Sequence, residues 1–198
     1  MLTVKEVKEE EPVLQIPNET ARRLYYDYIK EAYEETEAFS LDWYIYSRLM
    51  HGMAYRGEWR PLFEYIGQRM KDCISLRDLI TGEKAVQVFL NVYLGLSRLY
   101  ITHTEKEFNQ GYADIFMEPF IARYKEMKYA YLLEIKYIKK GEKEKKLDSL
   151  IKSAEDQLKR YSLDKKLKNV INGTTFIKLV LVFCGPELKY MGELKKED

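Results

Sequence analysis

The chain has 198 residues, of which 46% are hydrophobic and 33% are charged, a composition typical of a folded globular protein and not of a disordered or fibrous one. The two cysteines, Cys73 and Cys184, lie far apart among apolar neighbours and do not indicate a disulfide framework. The N-terminus lacks an apolar signal segment, and the longest apolar stretch contains Lys178. We therefore expect a cytoplasmic protein without a membrane span.

The first 80 residues have the pattern of amphipathic helices. Asn18 is a candidate N-cap for the first of them, a second is predicted between Ser40 and Gly52, and a third begins near Pro61. We predict a helical N-terminal region over residues 1–80. It contains no group of residues with catalytic spacing, and we assign it no chemistry.

The net charge of +1 conceals a difference between the two halves of the chain. Residues 1–80 carry 11 Lys and Arg against 15 Asp and Glu, which leaves 22 against 17 for residues 81–198. The stretch from Arg123 to Lys168 has 15 basic and 8 acidic residues. This excess favours a positive surface for a polyanion, and a solvated lysine-rich surface is the alternative.

From residue 81 onwards, helical and strand patterns alternate. A helix is predicted from an N-cap at Thr81, and another carries an apolar stripe from Leu147 to Tyr161. Four strands are predicted, at residues 99–106, 112–118 and 128–138 and in the run "TTFIKLVLVF". The order of helix, three strands, helix and strand predicts an α/β fold with a mixed sheet and helices on its faces.

Three charged side chains fall on two of these apolar strands. Since side chains alternate across a strand, Glu134 and Lys136 share one face, and pairing of the two strands would bring Asp114 beside Glu134. Two adjacent carboxylates repel each other unless a cation lies between them, and Mg²⁺ takes one or two protein carboxylates while keeping open positions. We expect burial or a metal to lower the pKa of Lys136, so that it holds or deprotonates the attacking water. A surface ion pair between Glu134 and Lys136 is the structural alternative.

This pattern resembles the PD-(D/E)XK nuclease superfamily, whose signature is an acid at the start of one strand and acid-x-lysine on the next, within a restriction-endonuclease-like αβββαβ core. "GYAD" supplies Asp114 and "EIK" supplies Glu134 and Lys136, while Ala113 replaces the proline of the family name. The resemblance implies a nuclease-like domain over residues 81–198, preceded by the small all-helical region.

The same resemblance assigns roles to further residues. Glu83 matches an acid on the first helix that supports the metal, Gln157 in "AEDQLKRY" matches a polar residue on the later helix, and the Ile135 carbonyl is a further candidate metal ligand. Glu83 could equally be an acid that favours a helix N-terminus, and Gln157 a surface amide. The implied function is Mg²⁺- or Mn²⁺-dependent hydrolysis of nucleic acid, with DNA as the expected substrate. The alternatives are a non-catalytic module that binds nucleic acid or a partner, and a purely structural domain.

A closer similarity is to the C-terminal part of bacterial AAA-ATPase-like proteins with a PD-(D/E)XK nuclease-like tail. It rests on the segments "VLQIPNETARRLYYDYI", "GYADIF", "YLLEIKYIKK" and "AEDQLKRY". The sequence contains no Walker A pattern (GxxxxGK[ST]), so the ATPase module of such proteins is absent from this chain and is a candidate partner.

Overall fold

The computed structural model describes residues 3–8, 11–15, 41–72, 82–108, 111–139, 146–164 and 173–194, with a few isolated positions between them. The chain forms two compact units, residues 1–40 and residues 41–198. In the first unit, strand β1 (Thr3–Lys8) pairs antiparallel with strand β2 (Glu11–Gln15). This hairpin is an exception to the helical character predicted for residues 1–80, and its β-branched residues Thr3, Val4 and Val7 favour a strand.

The predicted N-cap at Asn18 is confirmed, because its Oδ1 accepts a hydrogen bond from the backbone N–H of Ala21 at 2.9 Å. Much of the helix expected after it lies outside the described residues, as do Thr81 and Cys73.

The second unit opens with two helices, both predicted from the sequence. Helix α1 (Trp43–Arg56) is capped by Asp42, whose Oδ1 accepts from the N–H of Ile45 at 3.0 Å, and it ends at Gly57 in a left-handed conformation with φ +74°. Helix α2 (Arg60–Asp72) follows at once and buries one stripe of apolar side chains. Helix α1 runs one turn beyond Gly52, where the sequence pattern ended it.

The rest of the unit forms a sheet. In chain order, one helix precedes the first strand of this sheet and another lies between its third and fourth strands. The elements, in chain order, are helix α3 (Glu83–Gly95), strands β3 (Tyr100–Phe108), β4 (Gly111–Pro119) and β5 (Tyr129–Ile138), helix α4 (Leu147–Tyr161), and strands β6 (Thr175–Cys184) and β7 (Glu187–Glu193). The described strands of this unit form one five-stranded sheet in the order β3-β4-β5-β6-β7. The β5–β6 pair is parallel and the other pairs are antiparallel, so the predicted mixed α/β sheet is confirmed.

The two faces of β5 pack against different helices. Leu132 lies in an apolar cluster with Phe116 of β4 and with Leu158 and Tyr161 of α4. Its neighbour Tyr131 is fully buried, and its hydroxyl donates to the carbonyl of Met53 in α1 at 2.7 Å. Because consecutive strand residues point to opposite faces, α4 covers one face of β5 and α1 covers the other. Helix α4 is also the crossover between the parallel strands β5 and β6.

Candidate active site

Asp114 lies at an interruption of the sheet. The β3–β4 pairing runs through Thr104 and Ile115 and resumes at Lys106 and Ala113, so among the described strands the pair between them, Glu105 and Asp114, is missing. Glu105 has a left-handed backbone with φ +49°. On the other side of β4, the described pairing with β5 covers only residues 115–117. Asp114 therefore lies just beyond the part of β4 that pairs with β5, at the position that the β3–β4 pairing omits.

The carboxylate of Asp114 is held by donors from two elements. Its Oδ2 accepts the backbone N–H of Ile135 in β5 at 2.7 Å, and its Oδ1 accepts the side-chain amide of Gln87 in α3 at 2.7 Å. The Ile135 N–H thus bonds to a side chain where a strand neighbour would normally offer a carbonyl. Burial raises the pKa of Asp114 to about 6. The Ile135 hydrogen bond and the positive charge of Lys136 lower this pKa, but burial has the larger effect.

Glu134 is the most deeply buried acid of the group, with 2% of its surface exposed. Its Oε1 accepts from Lys136 Nζ at 2.7 Å, while its buried Oε2 has no hydrogen-bond partner. Burial raises the pKa of Glu134 to about 7, and the nearby negative charge of Asp114 acts in the same direction. The alternative of a surface ion pair between Glu134 and Lys136 is wrong, since both side chains are largely buried, with exposures of 2% and 14%.

Lys136 is an ammonium group in this structure. Burial lowers its pKa, as expected from the sequence, but the hydrogen bond and charge of Glu134, with the charges of Asp114 and Glu83, outweigh burial and raise it. The expectation that burial would lower the pKa of this lysine toward neutrality is therefore wrong. Lys136 is suited to donating a hydrogen bond and to offsetting negative charge, and not to removing a proton.

The remaining predicted residues lie at different positions around this group. Glu83 occupies the first turn of α3 and lies within electrostatic range of Asp114 and Glu134. Its negative charge therefore raises the pKa of both acids. Ile135 takes part through its backbone N–H, as described. Gln157 is half-buried on α4, and its buried Oε1 has no hydrogen-bond partner, so it is more than a surface amide.

Two further residues belong to the site and were missed in the sequence. Gln87, which binds Asp114, lies one helical turn after Glu83 and could have been found from that spacing. Tyr161 lies one turn after Gln157, and 2% of its surface is exposed. Its pKa is raised by burial and by the charge of Glu134, which places its phenol near the buried acid.

The donor set matches a hard divalent cation. Asp114 and Glu134 supply carboxylate oxygens, and Glu134 Oε2 is a buried acceptor still in need of a partner. Within the described part of the chain, no three or more His, Cys, Asp or Glu side chains converge into a complete metal cage. Two carboxylates with open positions are what Mg²⁺ typically uses when it also binds water and substrate oxygens.

The fold and these residues define a nuclease-type α/β domain, and comparison with known proteins agrees. A model of the PD-(D/E)XK nuclease superfamily matches residues 81–193. The chain belongs to the PD-(D/E)XK nuclease superfamily, whose members hydrolyse phosphodiester bonds of nucleic acid and generally use divalent metal ions. No curated protein matches the chain. Among the described helices, none has the length and apolar character needed to cross a membrane.

Proposed function

We propose that this protein is a Mg²⁺- or Mn²⁺-dependent nuclease that cleaves DNA at the site formed by Asp114, Glu134 and Lys136. The observation that carries the proposal is the buried, unpartnered Oε2 of Glu134, beside a second half-buried acid and an ammonium group. An unpaired buried acceptor is costly to a fold, and coordination to a cation would satisfy it.

In this proposal each residue has a distinct role. Asp114 and Glu134 would hold the metal, with the Ile135 carbonyl as a further ligand and Glu83 as a supporting acid. A bound divalent metal would supply Lewis-acid chemistry at the phosphoryl group and would make water a better nucleophile. Lys136 donates a hydrogen bond to the attacking water or to the phosphoryl oxygen, offsetting developing negative charge. Gln157 orients the same groups from α4.

A nucleic-acid substrate, of which DNA is the one proposed here, is supported by the charge of the sequence. The stretch from Arg123 to Lys168 carries 15 basic and 8 acidic residues, and it includes both Lys136 and helix α4. An excess of basic residues in the segment that carries the proposed site favours a polyanionic substrate that is held through its phosphates.

The proposal is tested by cleavage of single-stranded and duplex DNA over a range of Mg²⁺ and Mn²⁺ concentrations, with EDTA as the blank. We expect Asp114→Asn to need a severalfold higher metal concentration for half-maximal cleavage, because a neutral amide is a weaker ligand for a hard cation. Asp156→Asn, which makes the same change at an exposed position of α4, is the matched control and should cleave like the parent.

Two results would count against the proposal. Equal metal dependence of the parent and Asp114→Asn would place the catalytic centre elsewhere. A parent protein that binds DNA or an AAA-type ATPase partner but cleaves nothing with either metal would establish the non-catalytic binding module instead.

A further inference from the structure

Helix α3 contacts both residues of the missing strand pair. Lys84 forms an ion pair with Glu105 of β3, and Gln87 donates to Asp114 of β4 at 2.7 Å. Lys84 and Gln87 are three positions apart and therefore lie on one face of the helix. The pair Glu105 and Asp114 is the one that the β3–β4 pairing omits within the described strands. One face of α3 thus contacts both Glu105 and Asp114, the two strand residues that do not pair with each other in the sheet.

The conformation of Glu105 shows why such support matters. A left-handed backbone is unfavourable for any residue with a Cβ atom, and it persists in a strand only where the surrounding structure maintains it. The backbone of Asp114 does not pair with Glu105, and the direction of its carboxylate is set by the hydrogen bonds that the carboxylate accepts. Gln87 binds one of its oxygens and Ile135 N–H binds the other, so the plane of the carboxylate is fixed from two elements.

We propose that Lys84 and Gln87 are positioning residues for the metal site: Lys84 maintains the interrupted strand pair through Glu105, and Gln87 orients the Asp114 carboxylate toward the cation. The inference rests on the proposed function in that it takes Asp114 as a metal ligand. Each carboxylate oxygen keeps a further lone pair when it accepts one hydrogen bond, so the Gln87 contact is compatible with coordination. Hydrogen-bond partners of metal ligands characteristically set ligand direction and metal affinity.

The first test measures Mn²⁺ binding to the full-length protein by calorimetry, together with the Mg²⁺ dependence of DNA cleavage. Gln87→Ala should weaken Mn²⁺ binding about tenfold, while the cleavage rate at saturating metal stays within about threefold of the parent. The matched control is Gln68→Ala. In the parent protein, the side-chain amide of Gln68 donates to Asp72 of the same helix, α2, at 2.6 Å. It removes the same type of contact elsewhere and should leave Mn²⁺ binding unchanged.

The second test addresses the ion pair. Lys84→Ala and Glu105→Gly should each weaken Mn²⁺ binding about threefold, an effect smaller than that of Gln87→Ala because Gln87 hydrogen-bonds to Asp114 itself, whereas Lys84 and Glu105 pair with each other. Glycine accepts the left-handed backbone, so Glu105→Gly removes the carboxylate without imposing a new conformation. The double variant should lose no more than either single variant. Lys189→Ala, which breaks the Lys189–Glu187 pair of β7, is the control.

The outcomes separate this inference from the proposed function. A parent protein that binds no Mn²⁺ would overturn both. A parent that binds Mn²⁺ with unchanged affinity in Gln87→Ala would overturn the positioning role and leave the metal site standing. Independent, additive losses in Lys84→Ala and Glu105→Gly would overturn the role of the ion pair. Thermal unfolding of each variant shows whether a loss of binding reflects a loss of fold, and a loss explained by unfolding would also count against positioning.

Discussion

At the scale of single residues, Lys136 is the positive group beside the buried acids. Its ammonium group donates a hydrogen bond to Glu134 at 2.7 Å and lies within electrostatic range of Asp114 and Glu83, so it offsets part of the repulsion among these acids. A cation that enters the site would take over this role and leave the lysine available to substrate. In the proposed mechanism, Lys136 therefore serves the catalytic step more than metal binding.

From this role we expect Lys136→Ala to lower the cleavage rate by about 100-fold or more, because the group that offsets developing charge is lost. Mn²⁺ binding should persist, since both carboxylates remain. Single-turnover cleavage and calorimetry measure the two quantities separately. Lys139→Ala, at the exposed position just after β5, is the control and should retain full rate. Loss of Mn²⁺ binding in Lys136→Ala would instead make the lysine a structural support of the ligands.

The raised pKa values of Asp114 and Glu134 make stability depend on pH. With pKa values of about 6 and about 7 in the folded state, both acids bind protons more tightly folded than unfolded. Between about pH 4 and pH 7 the folded protein then binds more protons, so its stability must fall as pH rises.

In EDTA, we expect the free energy of unfolding to decrease by about 1 kcal/mol or more between pH 5 and pH 8, as measured by urea denaturation. The double variant Asp114→Asn/Glu134→Gln should reduce this slope. The parent must be compared with the double variant because other acids also contribute to the slope. The hydrogen bond from His103 lowers the pKa of Glu118, so Glu118 makes stability rise with pH. An identical slope in parent and double variant would show that the two acids titrate normally.

At the scale of elements, the strands that carry the site were the most predictable part. Strands β4, β5 and β6 follow their predicted spans to within a residue or so, because apolar runs of that length suit buried strands. Strand β7 was not predicted. It lies at the sheet edge, and its sequence "ELKYMGE" has too few apolar residues for a periodic signal.

The site itself was predictable only where sequence spacing fixes geometry. Glu134 and Lys136 share a strand face by alternation, so their contact could be expected. Glu105 could not be placed, because its role depends on how α3 packs against β3 and β4. The protonation state of Lys136 was missed for a similar reason: it depends on how many acids surround the lysine in three dimensions.

Packing between β4 and α4 provides a test at this scale. A Cβ atom added to Gly111 would lie 2.9 Å from Cε1 of the buried ring of Tyr161, which is closer than carbon atoms normally approach. We expect Gly111→Ala to destabilise the protein by about 1 to 3 kcal/mol in urea denaturation. A smaller side chain should relieve the clash, so Gly111→Ala should cost much less in a Tyr161→Leu background. Equal costs in both backgrounds would mean that the strand end adjusts freely.

At the scale of the whole molecule, residues 41–198 form one compact unit, whereas the sequence placed a boundary at residue 80, where the family match also begins. Helices α1 and α2 contact the sheet directly. The Tyr131 hydroxyl bonds to Met53, the N–H of Lys128 donates to the carbonyl of Ala54 at 3.3 Å, and Gly67 lies against Leu188.

We therefore expect a fragment of residues 41–198 to unfold cooperatively, and a fragment of residues 81–198 to be much less stable or insoluble. The shorter fragment would expose the apolar face of β5 that α1 covers. Circular dichroism during thermal unfolding and gel filtration of the two fragments measure the difference. Equal stability would support the boundary at residue 80 and a nuclease-like domain that folds by itself.

The hydrogen bond from Ile135 to Asp114 has a practical consequence. A backbone N–H that donates to a carboxylate at 2.7 Å has a proton resonance that depends on the charge of that carboxylate. Any event that changes this charge, whether proton uptake or cation capture, changes the environment of one amide at the centre of the sheet. In a nitrogen-15 spectrum, the Ile135 cross-peak is therefore a built-in reporter of site occupancy that needs neither substrate nor an attached label.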